Sequence, residues 1–196
     1  MKLKTELLQE LSNLFVQDLR SSQYYQQLSA EERNALERGL AREASRGGRP
    51  LVPGAHPDDL ESVRSEAEDQ LGIQLPPELL AVLESVDGFS ENGVTLYGAD
   101  QDPEHDQAYG ASIVAENVCL WASMPELAEK YLFLGDSDLW YFAWEIESDR
   151  YAALSRSTLK PVHYFESIDG MINDMLSQAL RIPQASGPVN EFKPPF

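Results

Sequence analysis

The sequence predicts an α+β fold: a largely antiparallel or mixed sheet packed by helices, with a helical hairpin in front of it. Two observations carry this expectation. Helical periodicity fills the first part of the chain and returns at its end, while short aromatic or β-branched runs between turn signals fill residues 131–164. Those runs follow one another closely enough to pair as adjacent hairpins, and the order helix, helix, strands, helix belongs to α+β architectures.

Leu3, Leu7, Leu11, Leu14, Phe15 and Leu19 fall on one helical face, with Glu6, Glu10, Asn13 and Asp18 elsewhere. These carboxylates inside the apolar pattern, and the lack of a small-residue cleavage site, read as an amphipathic helix and not a signal peptide. Ser29 and Glu32 have the spacing of a capping box, opening a second helix to about Arg46. Gly47-Gly48-Arg49-Pro50 ends it, and the Pro/Gly-rich 50–57 places a boundary near residue 50. The expected organisation is a hairpin at 1–48, either packed on the main domain or presenting its own surface. An α+β domain at 58–180 and a Pro-containing tail at 181–196 follow.

The segment 71–98, LGIQLPPELLAVLESVDGFSENGVTLYG, organises that domain. A helix beginning at Asp58 or Asp59 ends at Leu71, with Leu60, Val63 and Ala67 in its apolar stripe. Pro76-Pro77 suits the start of the next helix, whose buried face is Leu79, Leu80, Val82, Leu83 and Val86. Asp87-Gly88 and Glu91-Asn92-Gly93 stop and turn the chain into a first strand at 94–97. Residues 99–111 read as an acidic loop, 113–121 as a short helix in preference to a strand, and 124–129 as one helical turn. Strands are expected at 131–134, 140–146, 151–155 and 160–164, with a tight turn at 135–138. A helix at 166–180 closes the domain, its inward residues being Ile168, Met171, Ile172, Met175, Leu176 and Leu180.

The formal net charge of −18 is unevenly spread. Residues 1–50 carry 8 basic and 7 acidic side chains, residues 51–150 carry 3 and 22, and the remainder carries 4 of each. Such a surface repels nucleic acid and anionic membrane and steers basic partners, although solubility alone also accounts for it. No apolar run has the length of a membrane span. The single cysteine, Cys119, forms neither an internal disulfide nor a cysteine-based metal site, which makes a cytoplasmic protein the default.

Three motifs carry residue types that chemistry uses. His56-Pro57-Asp58-Asp59 resembles the metal motif of LmbE-like zinc deacetylases, but no apolar strand precedes it and no histidine pair follows at ligand spacing. Pro57 at the first helical position, with two carboxylates against the helix dipole, is the better reading. Gly135-Asp136-Ser137 resembles the Gly-Asp-Ser signature of certain esterases. Their Asp-x-x-His is missing, since Lys160 stands three before His163, so a β-turn explains it better. The acidic stretch 100–106 lacks the glycine and glutamate of a calcium loop. No phosphate loop and no basic aromatic stripe is present. Trp140, Tyr141, Phe142 and Trp144 alternate as core residues of a strand would.

Leu71-Gly72-Ile73-Gln74-Leu75-Pro76 resembles the Leu-Gly-x-x-Leu-Pro start of the SUKH superfamily (Smi/Knr-type). Asp87-Gly88, the strand at 94–97, Phe133-Leu134-Gly135-Asp136 before an aromatic strand, and the closing helix follow in that family's order. The likeness covers about 58–180 and is nearest the bacterial YrhA-like branch. It implies an α+β binding fold without catalytic residues, cofactor or metal. It also implies the role of an immunity protein in polymorphic toxin systems, binding and neutralising a cognate toxin domain, often a basic nuclease. A regulatory or scaffold module is the alternative, and a serine hydrolase using Ser137 comes third. The residues expected to meet the partner are Asp100, Asp102, Glu104 and Asp106 in the acidic loop, and Asp136 and Asp138 at the turn.

Overall fold

A computed structural model describes residues 2–99 and 111–182. Among the described residues, seven α-helices and six strands fall in separate runs, as an α+β fold requires: α1 (Thr5–Ser21), α2 (Gln23–Gln27), α3 (Ala30–Ser45), α4 (Pro57–Glu66), α5 (Pro77–Ser85), β1 (Phe89–Glu91), β2 (Val94–Leu96), α6 (Ile113–Ser123), β3 (Tyr131–Ser137), β4 (Trp140–Glu145), β5 (Arg150–Ser155), β6 (Pro161–Phe165) and α7 (Ile168–Ala179). The strands form one antiparallel sheet in sequence order, β1 to β6, so each strand pairs with its neighbour in the chain, and β2 and β3 are joined through α6 and not by a hairpin turn.

Several boundaries differ from the sequence expectation. A strand, β1, precedes the expected first one, and only Asn92-Gly93 turns between them, with φ of 50° and 76°. Strand β3 runs on to Ser137, so 135–138 is not a tight turn. Pairing with β2, in the register Leu96 to Gly135 and Val94 to Ser137, keeps that backbone extended and moves the reversal to Asp138-Leu139. Residues 124–129 form turns without a helix. Helix α4 continues through a single π-helical segment, Ala67–Leu71, ended by Gly72 in the left-handed region.

Helix α7 covers one face of the sheet. Its Met175 reaches Gly135, where an added Cβ would overlap the Thr95 carbonyl oxygen and stand 2.6 Å from Met175 Cε. A glycine is thus required for the helix to approach β3 this closely. Helix α1 then lays Leu7, Leu8 and Leu11 into the same hydrophobic core and is fastened to α7. The Lys4 N–H donates to Asn173 Oδ1 at 2.8 Å, and Asn173 Nδ2 donates to the Lys2 carbonyl at 3.2 Å. The first arm of the N-terminal hairpin is therefore packed on the sheet domain. The second arm stands outside, with Leu40 the only buried residue of α3, and is tethered through Glu37, which accepts from Arg20 at 2.9 and 2.6 Å and from the Tyr25 hydroxyl at 2.8 Å.

Where β2 ends, α6 takes over the edge of β3. Asn117 is fully buried, and its amide brackets Phe133, donating to the carbonyl and accepting from the N–H, each at 2.7 Å. A side chain thereby supplies what a neighbouring strand would.

Asn117→Ala should leave two buried backbone groups unpaired and cost about 2–4 kcal/mol, read as a lower urea midpoint with unchanged slope. A loss below about 1 kcal/mol would show that the bracket is dispensable. The Glu37 carboxyl is held down at about 2, first by its bond from Arg20 and then by Tyr25. Because its folded pKa is depressed, the α1–α3 tether persists above the ordinary glutamate range and is lost as pH falls from about 4.5 toward about 2. Carboxylate titration by NMR should place Glu37 there, and a value in the ordinary range would remove the tether.

Candidate binding surface

The end of β3 and the turn after it carry the two predicted site residues that fall among the described residues, Asp136 in the strand and Asp138 in the turn. Asp136 and Asp138 differ sharply in their surroundings. Asp136 faces inward along the sheet and accepts from the Tyr97 hydroxyl at 2.7 Å. Arg156, from the turn after β5, approaches its other oxygen at 3.9 Å. The guanidinium also donates to the Ser137 carbonyl at 2.9 Å and lies 4.6 Å from the Tyr141 ring centroid. Burial, then the Asp136 carboxylate, raises the Tyr97 phenol; burial, then Asp136, also lifts the Glu116 carboxyl on α6. Asp136 is therefore the centre of a half-buried network, with 28% of its side chain exposed.

Asp138 is exposed, and so is its neighbour Leu139, at 64%. The Asp138 carboxylate stands 3.4 Å from where a Cβ on Gly93 would lie, so the β1–β2 and β3–β4 turns meet at one end of the sheet. Asp100, Asp102, Glu104 and Asp106 lie outside the described residues. Ala99, the last described residue before them, donates its N–H to Asp87, a buried carboxylate.

The motifs set aside by sequence are accounted for locally. His56 is the N-cap of α4, accepting from the Asp58 N–H through Nδ1, while Asp59 accepts from the His56 N–H at 3.2 Å. Ser137 is buried and its Oγ accepts from the Trp140 N–H at 3.2 Å. His163 lies on β6, three strands from β3, which at ~4.8 Å per strand is about 14 Å away. The fold does not bring Ser137 and His163 together. Among the described residues, no group of three or more histidine, cysteine, aspartate or glutamate side chains is placed to hold a metal ion.

A second acidic feature escapes sequence reading. Glu78 in the first turn of α5, Asp149 in the β4–β5 turn, Glu166 before α7 and Asp169 in its first turn line an open groove of about 350 Å³. Tyr151 of β5 lies within it, and no lysine or arginine among the described residues lines it. These residues span more than ninety positions and come from four elements. The one signal in the sequence was that each sits at an element end, where carboxylates have local reasons to be.

Because the folded pKa of Glu116 is raised, its ionised form weakens the fold at neutral pH, and that loss is relieved as pH falls through the raised value. Glu116→Gln should therefore raise the urea midpoint at pH 7. The gain should vanish below about pH 4, where glutamate is protonated in both states; a gain that persists there has another origin. No protein-family model matches the chain, and no curated protein matches it either.

Proposed function

We propose that the chain is a non-catalytic binding protein that captures a basic protein partner, as an immunity protein neutralises a toxin domain such as a nuclease. The observation that carries the reading is where the acidic excess lies. Of the described carboxylates between residues 51 and 150, only Asp87 and Glu145 are buried. Of the three basic side chains there, Arg64 pairs with Glu61 at 3.5 Å and Arg150 with Glu145 at 2.7 Å. The field over this surface stays negative, which speeds encounter with a cationic protein and opposes a phosphate backbone. A nuclease is basic where it grips its substrate, so the same field favours docking over its working face.

Membership of the SUKH superfamily, in its YrhA-like branch, is part of the same proposal. It is supported by the order of the helix entered at Leu75-Pro76, the hairpin after Asp87-Gly88, the aromatic antiparallel strands and the closing helix. A cytoplasmic site suits the exposed, unpaired thiol of Cys119. No helix among the described residues is long and apolar enough to cross a membrane. The reading assigns the chain no cofactor. A regulatory or scaffold role is the second reading, favoured by α3 and α2, which bury little and leave a charged surface free.

Mixing the full chain with the protein encoded beside its gene should give a stable complex and loss of that protein's toxicity. The association rate should fall at least about tenfold between low and physiological salt. Failure to bind any neighbouring product, or salt-independent binding, would count decisively against the proposal. Arg38→Glu with Arg42→Glu on α3 should leave binding intact here, and would abolish it under the scaffold reading.

A further inference from the structure

The groove around Tyr151 has a property that general acidity does not explain. The Tyr151 ring is buried, with 8% of the residue exposed, while its hydroxyl is open to solvent and takes no hydrogen-bond partner from the described residues. Tyr97 and Tyr131 donate to carboxylates, Asp136 at 2.7 Å and Glu145 at 3.0 Å, whereas Tyr141, like Tyr151, makes no such bond among the described residues. A tyrosine hydroxyl at the edge of a packed interior ordinarily bonds protein or solvent. The Tyr151 oxygen instead opens on the groove, in the field of Glu78, Asp149 and Asp169.

Part of the acidity has a structural reason. Glu78 and Asp169 occupy first turns of α5 and α7, where the helix dipole favours carboxylates. Asp149 and Glu166 are in no helix. Asp149 accepts from the Trp144 indole N–H at 2.8 Å through one oxygen, which leaves the other available. The four carboxylates are not clustered tightly enough among the described residues to ligate a metal ion. They surround a space with an unpartnered phenolic oxygen at its wall and Ile168 and Ala81 beside it. An anion would be repelled by every charge that lines it. A long aliphatic stem ending in several N–H donors matches both the apolar and the acidic lining.

We propose that this groove receives one lysine or arginine side chain projected by a basic protein partner, with the Tyr151 oxygen accepting one of its N–H groups and the surrounding carboxylates accepting the others. The inference rests on the basic-partner reading above and adds to it a specific seat. The seat is remote in the sheet from the β3–β4 turn, since the β4–β5 turn lies at the opposite strand ends.

The test uses the isotopically labelled full chain, acetyl-Gly-Arg-Gly-amide and its lysine counterpart as probes, and the cognate basic protein. Amide shifts should saturate and centre on residues 149–151, 166–169 and the start of α5. Glu78→Gln with Glu166→Gln should weaken both probe and protein binding at least about tenfold, and Tyr151→Phe about threefold, each with an unchanged fold by amide spectrum. Glu61→Gln with Glu68→Gln removes the same charge from α4 and should change affinity less than about twofold. Equal weakening by the two double variants, or shifts scattered over the acidic surface, overturns the groove while leaving the basic-partner reading standing. So does cognate binding without any saturable probe shift. Absence of binding to both probe and basic protein overturns both.

Discussion

The close approach of α7 to β3 at Gly135 is the constraint from which most of the structure follows. A side chain there would collide with the Thr95 carbonyl and with Met175, and the helix would have to lift from the sheet. With the helix seated, Met171, Ile172, Met175, Leu176 and Ala179 are all buried. Asn173 then stands where it can bond both Lys2 and Lys4, which fixes the start of α1. At the helix's other end Asn92 donates to the Ala179 carbonyl at 2.7 Å, which ties down the β1–β2 turn. One missing Cβ thereby positions both the N-terminal helix and the first hairpin. Leu7, Leu8 and Leu11 fill the same core as the sheet, so α1 belongs to the sheet domain's packing and could not be removed without opening it.

The acidic excess constrains the fold in a different way. Carboxylates at this density repel one another, and the fold tolerates them by leaving nearly all in solvent. The two that are buried carry definite bonds. Asp87 holds the Ala99 N–H, and Glu145 accepts from Tyr131, Ser148 and Arg150. Those bonds, led by Ser148, hold the Glu145 carboxyl below the usual carboxylate range despite its burial. Its ion pair with Arg150 also places that half-exposed guanidinium 4.1 Å from the Tyr164 ring centroid, so one of the few cations of the middle segment is matched locally. The pair takes out one charge of each sign and leaves the net negative charge of the middle segment in place.

What was legible in the sequence was what repeats within one element. The helical faces of α1, α4, α5 and α7, the Ser29–Glu32 capping box and the aromatic strands β4 and β5 all follow from local periodicity. Features that depend on a neighbour were not legible. Phe89–Glu91 reads as part of a turn because three residues carry no period, and only pairing with β2 makes them a strand. Gly135-Asp136-Ser137 reads as a turn because its composition favours one, and β2 overrides that preference. The bond from Tyr97 to Asp136 and the approach of Arg156 were not legible, because nothing in the sequence places those residues together. The groove at Tyr151 was hidden for the same reason, since its carboxylates converge only after four elements are assembled.

Diffuse charge and a shaped groove contribute to recognition at different stages. A negative field acts over about a Debye length, raises the encounter rate and is weakened by salt, yet it accepts any basic protein. Discrimination among basic proteins needs contacts made only after docking, and those set the dissociation rate. Asp138 and the exposed acids of α4 and α5 can supply the first effect from any orientation, because each is solvated and long-range. A cation seated beside Tyr151 would lose water on several sides and gain acceptors whose positions are fixed by a helix start, a strand and a turn. That fixity would make such a seat selective for the position of one side chain on a basic protein, where an acidic surface as a whole is selective only for charge.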